Sequence, residues 1–223
     1  MVYFLRLEPG PFVIKRGRFI VLEGLEGAGK STAIATISRF LAPLVPEVVK
    51  TREPGGTTVG EEVRKLVKAV IPNEPLDSRT ELLLFYAARV QLLTCVIEPA
   101  LARGAWVVAD RFELSTLAYQ GGGRKLDPDF MAYLSKFCLN NTQPDLTLFL
   151  DIQPELGLER ALMRGKMDRI EQESLCFFQE VYTSYHQQIK QLSHVKIIDA
   201  SKSLGVVQHL IQNELAQFMV SHG

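Results

Sequence analysis

Gly24-Leu25-Glu26-Gly27-Ala28-Gly29-Lys30-Ser31 decides how the chain folds and what it handles. The run matches G-x-x-x-x-G-K-[ST]. It lies directly after an apolar run, Phe19 to Glu23, and directly before a helical pattern, the context that such a loop needs. Glycines let the backbone turn its N–H groups toward phosphate oxygens, Lys30 sets a positive charge on the β and γ phosphates, and Ser31 is placed to bind Mg²⁺. Thr32, next in the chain, completes the group assigned to a bound triphosphate. The loop by itself says only nucleotide, so kinase, GTPase and motor ATPase stay open.

Outward from the loop, short β-rich runs alternate with longer helical patterns. Phe19 to Glu23, Val48 to Thr51, Trp106 to Asp110, Leu146 to Asp151 and Val195 to Asp199 are predicted strands. Five apolar strands interleaved with helices predict an α/β fold with a parallel sheet covered on both faces, and ligands at the carboxyl ends of its strands. A long helix is predicted from just after Asp77 to about Ala102, with Ser78 and Glu81 as its capping box. Pro128 and Pro154 mark two further helix starts.

The 223 residues are 47% hydrophobic and 22% charged, which predicts a single globular domain. Lysine plus arginine and aspartate plus glutamate both number 25, so the overall charge announces neither a nucleic-acid nor a membrane partner. Cys95, Cys138 and Cys176 are scattered and lack metal-ligand spacing, which fits a reducing cytoplasm. The most apolar region, Leu82 to Ala102, is interrupted by Arg89, Gln91, Glu98 and Pro99, and no membrane span is predicted. Residues 1–17 form an N-terminal extension, with Glu8, two prolines and no small-residue cleavage site, so a signal peptide is a poor reading.

Asp110 closes an apolar strand, where a carboxylate can reach the metal of a bound nucleotide through water or the loop serine. An ordinary strand-end aspartate is the plain alternative. No Asn-Lys-x-Asp run occurs, and that demotes the GTPase reading.

Three more segments resemble the thymidylate kinase family. They are Thr51-Arg52-Glu53-Pro54-Gly55-Gly56-Thr57, Asp110-Arg111-Phe112 through Ser115-Thr116-Leu117-Ala118-Tyr119-Gln120-Gly121, and Arg164-Gly165-Lys166-Met167-Asp168-Arg169-Ile170-Glu171. The resemblance implies a P-loop nucleoside-monophosphate-kinase fold with a five-stranded parallel sheet and a short lid at about residues 160–172, all in one kinase domain at residues 18–223. It further implies transfer of the γ-phosphoryl group of ATP to dTMP, giving dTDP for dTTP synthesis, with Mg²⁺ as cofactor and a homodimeric assembly. Glu26 and Ala28, with no arginine in the loop, resemble the bacterial branch, in which catalytic arginines come from the lid. Residues 1–17 precede the usual start of the family, as a real arm or a misjudged start codon. A kinase for another deoxynucleotide or deoxynucleoside, and a regulatory ATPase with no small-molecule acceptor, are the alternatives.

Site residues follow from the same resemblance. Phe85 and Arg89, four apart on one helix face, would stack on the thymine and donate to its edge. Taken alone, Phe85 reads as core and Arg89 as a surface charge. Arg111 would grip the acceptor phosphate, Thr116 and Gln120 would meet the base, and Tyr119 would lie under the sugar. Arg52 and Arg64 are further acceptor-side candidates. Glu26 opposes the anion that its own loop binds, and the family reading gives it a hydrogen bond to the 3′-hydroxyl.

Catalysis needs concentrated positive charge, because unit charges ~4 Å apart at an effective dielectric near 20 repel by about 4 kcal/mol. Lys30, Arg111, Arg160, Arg164 and Arg169 are its expected suppliers, with Ser31 and Asp110 for the metal. No general base is required, since a phosphate monoester is already ionised at neutral pH, its second pKa being ~6. Arg160 and Arg164 would share a face if their helix continued, and Leu162 stands where relatives often carry an arginine. A solvated segment in which these arginines pair with Asp168, Glu171 and Glu173 is the competing reading of the lid.

Overall fold

The structure is a computed structural model and describes residues 15–165 and 167–222. Most of the N-terminal extension, and Lys166 of the lid segment, lie outside the described residues.

The first strand, β1 (Phe19–Gly24), is buried along its whole length and lies at the centre of the sheet. After the phosphate-binding loop come α1 (Lys30–Leu41), β2 (Val48–Arg52) and α2 (Thr58–Lys68). A long helical rod follows, formed by α3 (Ser78–Leu92), a π-helical stretch at Leu93–Ile97 and α4 (Glu98–Ala102). Strand β3 (Trp106–Asp110) leads into a short α5 (Glu113–Thr116), a second π-helical stretch at Leu117–Gly123 and α6 (Pro128–Leu139). The chain closes with β4 (Leu146–Asp151), α7 (Pro154–Leu162), α8 (Leu175–Ile189), β5 (Val195–Asp199) and α9 (Leu204–His222).

All four strand pairings are parallel, in the order β2-β3-β1-β4-β5. Every predicted strand is present. Register brings the carboxyl ends level: Asp110 pairs with both Leu22 and Arg52, and Gly24 pairs with Leu150. Strand β1 has β3 and β2 on one side and β4 and β5 on the other, so the order reverses at β1 and the loop opens at the crevice where open α/β sheets bind ligands.

Side chains alternate along the strands and divide the core in two. Ile20, Leu22 and Val108 join α1, α8 and α9 on one face. Phe19, Val21, Val107 and Ala109 meet Leu92, Leu93, Ile97 and Leu101 of the helical rod on the other. Phe19 and Phe112 close that second core edge to face, with ring centroids 5.1 Å apart.

Two sequence expectations change here. Asp77, not Ser78, caps α3: its backbone is extended and its carboxylate accepts from the Arg79 N–H at 2.9 Å. Ser78 already has helical conformation, and Glu81 is buried at 1% exposure with partners of its own. The rod of 25 residues, Ser78–Ala102, is also long and apolar enough by composition to cross a membrane, contrary to the expectation that its charges break it. One face of it packs into the core, where its two buried charges, Glu81 and Arg89, are paired, while Arg79 and Glu98 stay exposed.

Arg89 is the largest fully buried side chain, at 1% exposure. Its guanidinium donates to Glu53 at 2.7 Å, to Thr116 at 2.8 Å and to Glu113, and lies between the rings of Tyr86 and Phe112, 5.1 and 5.2 Å from their centroids. A charge taken out of water is tolerated only with such pairing. Arg89 thereby pins α3 to the end of β2 and to α5. Arg89→Ala strands Glu53 and Glu113, and the unfolding free energy should fall by about 3–5 kcal/mol in denaturant titration. A loss below ~1 kcal/mol would remove Arg89 from the interactions that hold the fold.

Candidate active site

A cavity of about 380 Å³ opens at the carboxyl ends of β1, β2 and β3. Its wall includes Glu26, Gly27, Gly29, Lys30, Ser31 and Thr32 from the loop, Arg52 and Arg64 beside β2 and α2, and Phe85 and Arg89 from α3. Asp110, Arg111, Thr116, Tyr119 and Gln120 complete one side, and Arg160 and Arg164 the other. Gly24, Leu25 and Ala28 are buried and support the loop from beneath.

The loop's glycines are required by its shape. Gly27 has φ +72°, and a Cβ there would lie 2.0 Å from the Gly157 carbonyl oxygen of α7. Gly29, at φ +90°, caps α1 without any side-chain bond, and the first turn carries no acid. The leading N–H groups of α1 are therefore directed to whatever anion enters.

Lys30 folds back on its own loop, donating to the carbonyls of Gly24 at 2.9 Å and Leu25 at 2.7 Å. Burial, helped by the nearby charge of Arg111, pushes its ammonium down to about 8. Asp110 Oδ1 is buried without a hydrogen-bond partner, and Ser31 is exposed to the cavity. An orphaned carboxylate oxygen and a hydroxyl on the wall of one cavity suit a hard cation such as Mg²⁺. Among the described residues no cluster of three His, Cys, Asp or Glu forms a cage of its own. The donor set fits a metal that takes its remaining ligands from phosphate and water.

Arg111 resolves the oddity of Glu26. Its backbone stands at φ +70°, and its guanidinium donates to Glu26 at 2.8 Å, Ser115 at 3.0 Å, and the hydroxyls of Tyr119 and Tyr185 at 3.2 Å each. Tyr119 in turn donates to Glu26 at 2.5 Å. The carboxylate in the phosphate loop thus neutralises a half-buried arginine. Burial works against the charge on Arg111, but Tyr119, Glu26 and Tyr185 outweigh it and raise its pKa.

Beneath this pair lies Glu23, fully buried, which accepts from the N–H groups of Phe112 and Ser115 and from the hydroxyls of Ser115 and Tyr185. Burial raises its pKa, opposed by the Ser115 bond and the charge of Arg111. Sequence reasoning passed over Glu23, Ser115 and Tyr185 as site residues. A glutamate ending an otherwise apolar buried strand, directly before the loop, was the available signal.

On the acceptor side, Phe85 is half-buried on the cavity wall, with Arg89 one helical turn further on. Gln120 and Thr116 are buried: Thr116 accepts from Arg89, and Gln120 donates to Glu81 at 2.7 Å. Arg52 pairs with Glu61, and Arg64 donates to the Pro54 carbonyl at 3.0 Å. Burial raises Glu53, beside Arg89, to about 7.

The lid arginines divide. Helix α7 ends at Leu162, so Arg160 and Arg164 do not share a helical face. Arg160 donates to the carbonyls of Ala200 and Ser201, Arg164 to Glu171 at 3.2 Å, and Leu162 turns to solvent. Gly165 follows at φ +114° with open space around it. Arg169 lines no part of the cavity: it donates to the Val67 carbonyl at 2.8 Å and to the buried Glu81. In this arrangement Arg169 is held behind the cavity wall, apart from the place expected for it beside Arg160 and Arg164. Lys68, which sequence reasoning missed, does line the cavity and pairs with Asp168 at 2.6 Å.

Comparison with known proteins agrees with this geometry. The family model described as thymidylate kinase matches residues 22–211. Proteins named thymidylate kinase from Legionella pneumophila strains Corby and Paris are each 54% identical to this chain over 203 residues, 91% of this chain and 96% of theirs. A strand-end phosphate loop, a charge-balanced arginine above it and an aromatic acceptor pocket thus coincide with similarity along nearly the whole length: the chain belongs to the thymidylate kinase family.

Proposed function

We propose that the protein transfers the γ-phosphoryl group of ATP to dTMP, giving dTDP. The observation that carries this reading is that one cavity holds both the phosphate loop and an aromatic, arginine-bearing pocket, with Arg111 between them. Coupled ADP release with dTMP, dUMP, dCMP, dGMP, thymidine and no acceptor tests it. Turnover that needs dTMP supports the reading, and acceptor-independent hydrolysis sinks it.

ATP phosphates are received by the N–H groups of the loop and of α1, and Lys30 exchanges the carbonyls of Gly24 and Leu25 for phosphate oxygens. Ser31 and Asp110 would hold Mg²⁺, which when bound would supply charge neutralisation at the phosphates. Phe85 stacks on thymine, with Arg89, Thr116 and Gln120 at its edge and Tyr119 under the sugar, where Glu26 meets the 3′-hydroxyl. Arg111 grips the acceptor phosphate, with Arg52 and Arg64 adding positive charge nearby. Arg160 and Arg164 face the transferring group, and positioning with electrostatics carries the rate.

We also infer a homodimer in the cytoplasm. Leu83 and Val90 on α3, and Phe130, Tyr133 and Phe137 on α6, are exposed apolar residues at helical spacing on two packed helices, which supports a subunit contact. Cys95, Cys138 and Cys176 are all free, as fits a reducing compartment.

Two kinetic outcomes follow. Lys30 is cationic below about pH 8 in the free protein and loses its charge as pH rises through that value, so kcat/KM for ATP should fall above about pH 8. Bound phosphate raises the Lys30 pKa, so kcat should hold to higher pH; parallel profiles for the two constants would refute this role. Arg164→Ala should lower kcat and kcat/KM together by roughly tenfold or more. Arg169→Ala should instead lower stability by about 1–3 kcal/mol, through the bond lost to Glu81. Near-wild-type kcat for Arg164→Ala would turn the lid into a solvated segment.

A further inference from the structure

Glu81 lies in the first turn of α3, outside the cavity wall, and is nevertheless buried. Three donors from separate parts of the chain converge on it. Gln120, from the second π-helical stretch, gives its amide nitrogen at 2.7 Å. Arg124, just beyond that stretch, reaches both carboxylate oxygens, at 3.2 and 3.3 Å, and also Glu173 at 2.6 Å. Arg169 comes from the lid loop after α7. Burial works to raise the Glu81 pKa, yet the contacts from Arg124, Gln120 and Arg169 hold it below the usual carboxylate value.

An ionised carboxylate can only accept hydrogen bonds. The two ends of the Gln120 amide are therefore not interchangeable: its NH₂ must face Glu81, and its carbonyl oxygen takes the other side. Gln120 lines the cavity and Glu81 does not, so that other side is the acceptor pocket. Hydrogen-bond chemistry, not the similar outlines of N and O, decides the orientation. A carbonyl oxygen there accepts from a ring N–H, which thymine and uracil carry at N3, whereas cytosine presents a lone pair at that position. A site with a mismatched buried polar group rejects the wrong base more strongly than one that merely lacks a contact.

We propose that Glu81 is a positioning residue that locks the Gln120 amide with its carbonyl oxygen in the acceptor pocket, and so selects N3–H pyrimidines over cytosine. The inference rests on the proposed dTMP-kinase reading. Because Arg169 shares the same carboxylate, the lid loop and the base-reading amide have a common anchor.

The test is the ratio of kcat/KM for dTMP to that for dCMP. Glu81→Gln can donate or accept, so the Gln120 amide is free to invert. The ratio should fall at least fivefold, with KM for ATP within about threefold of wild type. In a Gln120→Ala background the same Glu81 substitution should leave the ratio unchanged, because Glu81 acts through that amide. A smaller fall in folded Glu81→Gln, or an equal fall in the Gln120→Ala background, overturns the proposal. Where Glu81→Gln fails to fold, Glu81→Asp keeps the charge for Arg124 and withdraws the oxygens from Gln120, and the same two criteria apply. Wild-type protein inactive toward dTMP would overturn the proposed function and this inference with it. A selective wild type with an equally selective variant overturns the inference alone.

Discussion

Buried positive charge is the constraint around which this site is built. Arg89 is fully buried and Arg111 half-buried on the cavity wall, both beside the carboxyl ends of the central strands, and a charge so withdrawn from water needs a partner. Each has drawn in carboxylates from elsewhere in the chain: Glu53 and Glu113 around Arg89, Glu26 against Arg111, and Glu23 below it. The positions of α3, α5 and the loop relative to one another follow from these pairings as much as from the apolar core. A site for two phosphorylated substrates needs such cations in place beforehand, because arranging them during the reaction would forfeit the gain of preorganisation.

Lys30 rests on two carbonyls of its own loop, and Arg111 is neutralised by Glu26. A phosphate group offers each cation a better partner than the one it has. Substrate binding then becomes an exchange of partners within a site already shaped for it. Tyr119 and Tyr185 keep Arg111 in position during that exchange, since each meets it through a hydroxyl and carries no charge of its own at neutral pH.

Much of this was legible in the residues. Runs of four to six residues marked every strand, with both ends of three placed to the residue; the signal is clearest in β1, β3 and β4, because strands covered on both faces must be largely apolar. Gly27 and Gly29 were legible because positive φ is a local demand that few other residues meet. The start of α3 just after Asp77 was legible, but its cap was read one residue late, since Asp77 and Ser78 both suit an N-cap and only the extended backbone at Asp77 separates them. Glu81 was read as a capping residue, although its partners Gln120, Arg124 and Arg169 lie 39, 43 and 88 residues further along the chain.

That contrast separates what the sequence by itself determined from what tertiary structure decided. Strand positions, the phosphate loop and the class of chemistry follow from short-range properties: apolar periodicity, glycine dihedrals, and a lysine and serine at fixed offsets. The partners of long charged side chains do not, because an arginine bonds to whichever acceptor the folded chain brings within about 3 Å. Arg164 and Arg169 sit five residues apart in one basic stretch, yet one reaches the cavity wall and the other is tied behind it to Val67 and Glu81. Only the packing of α2, α3 and the lid loop against one another could separate them.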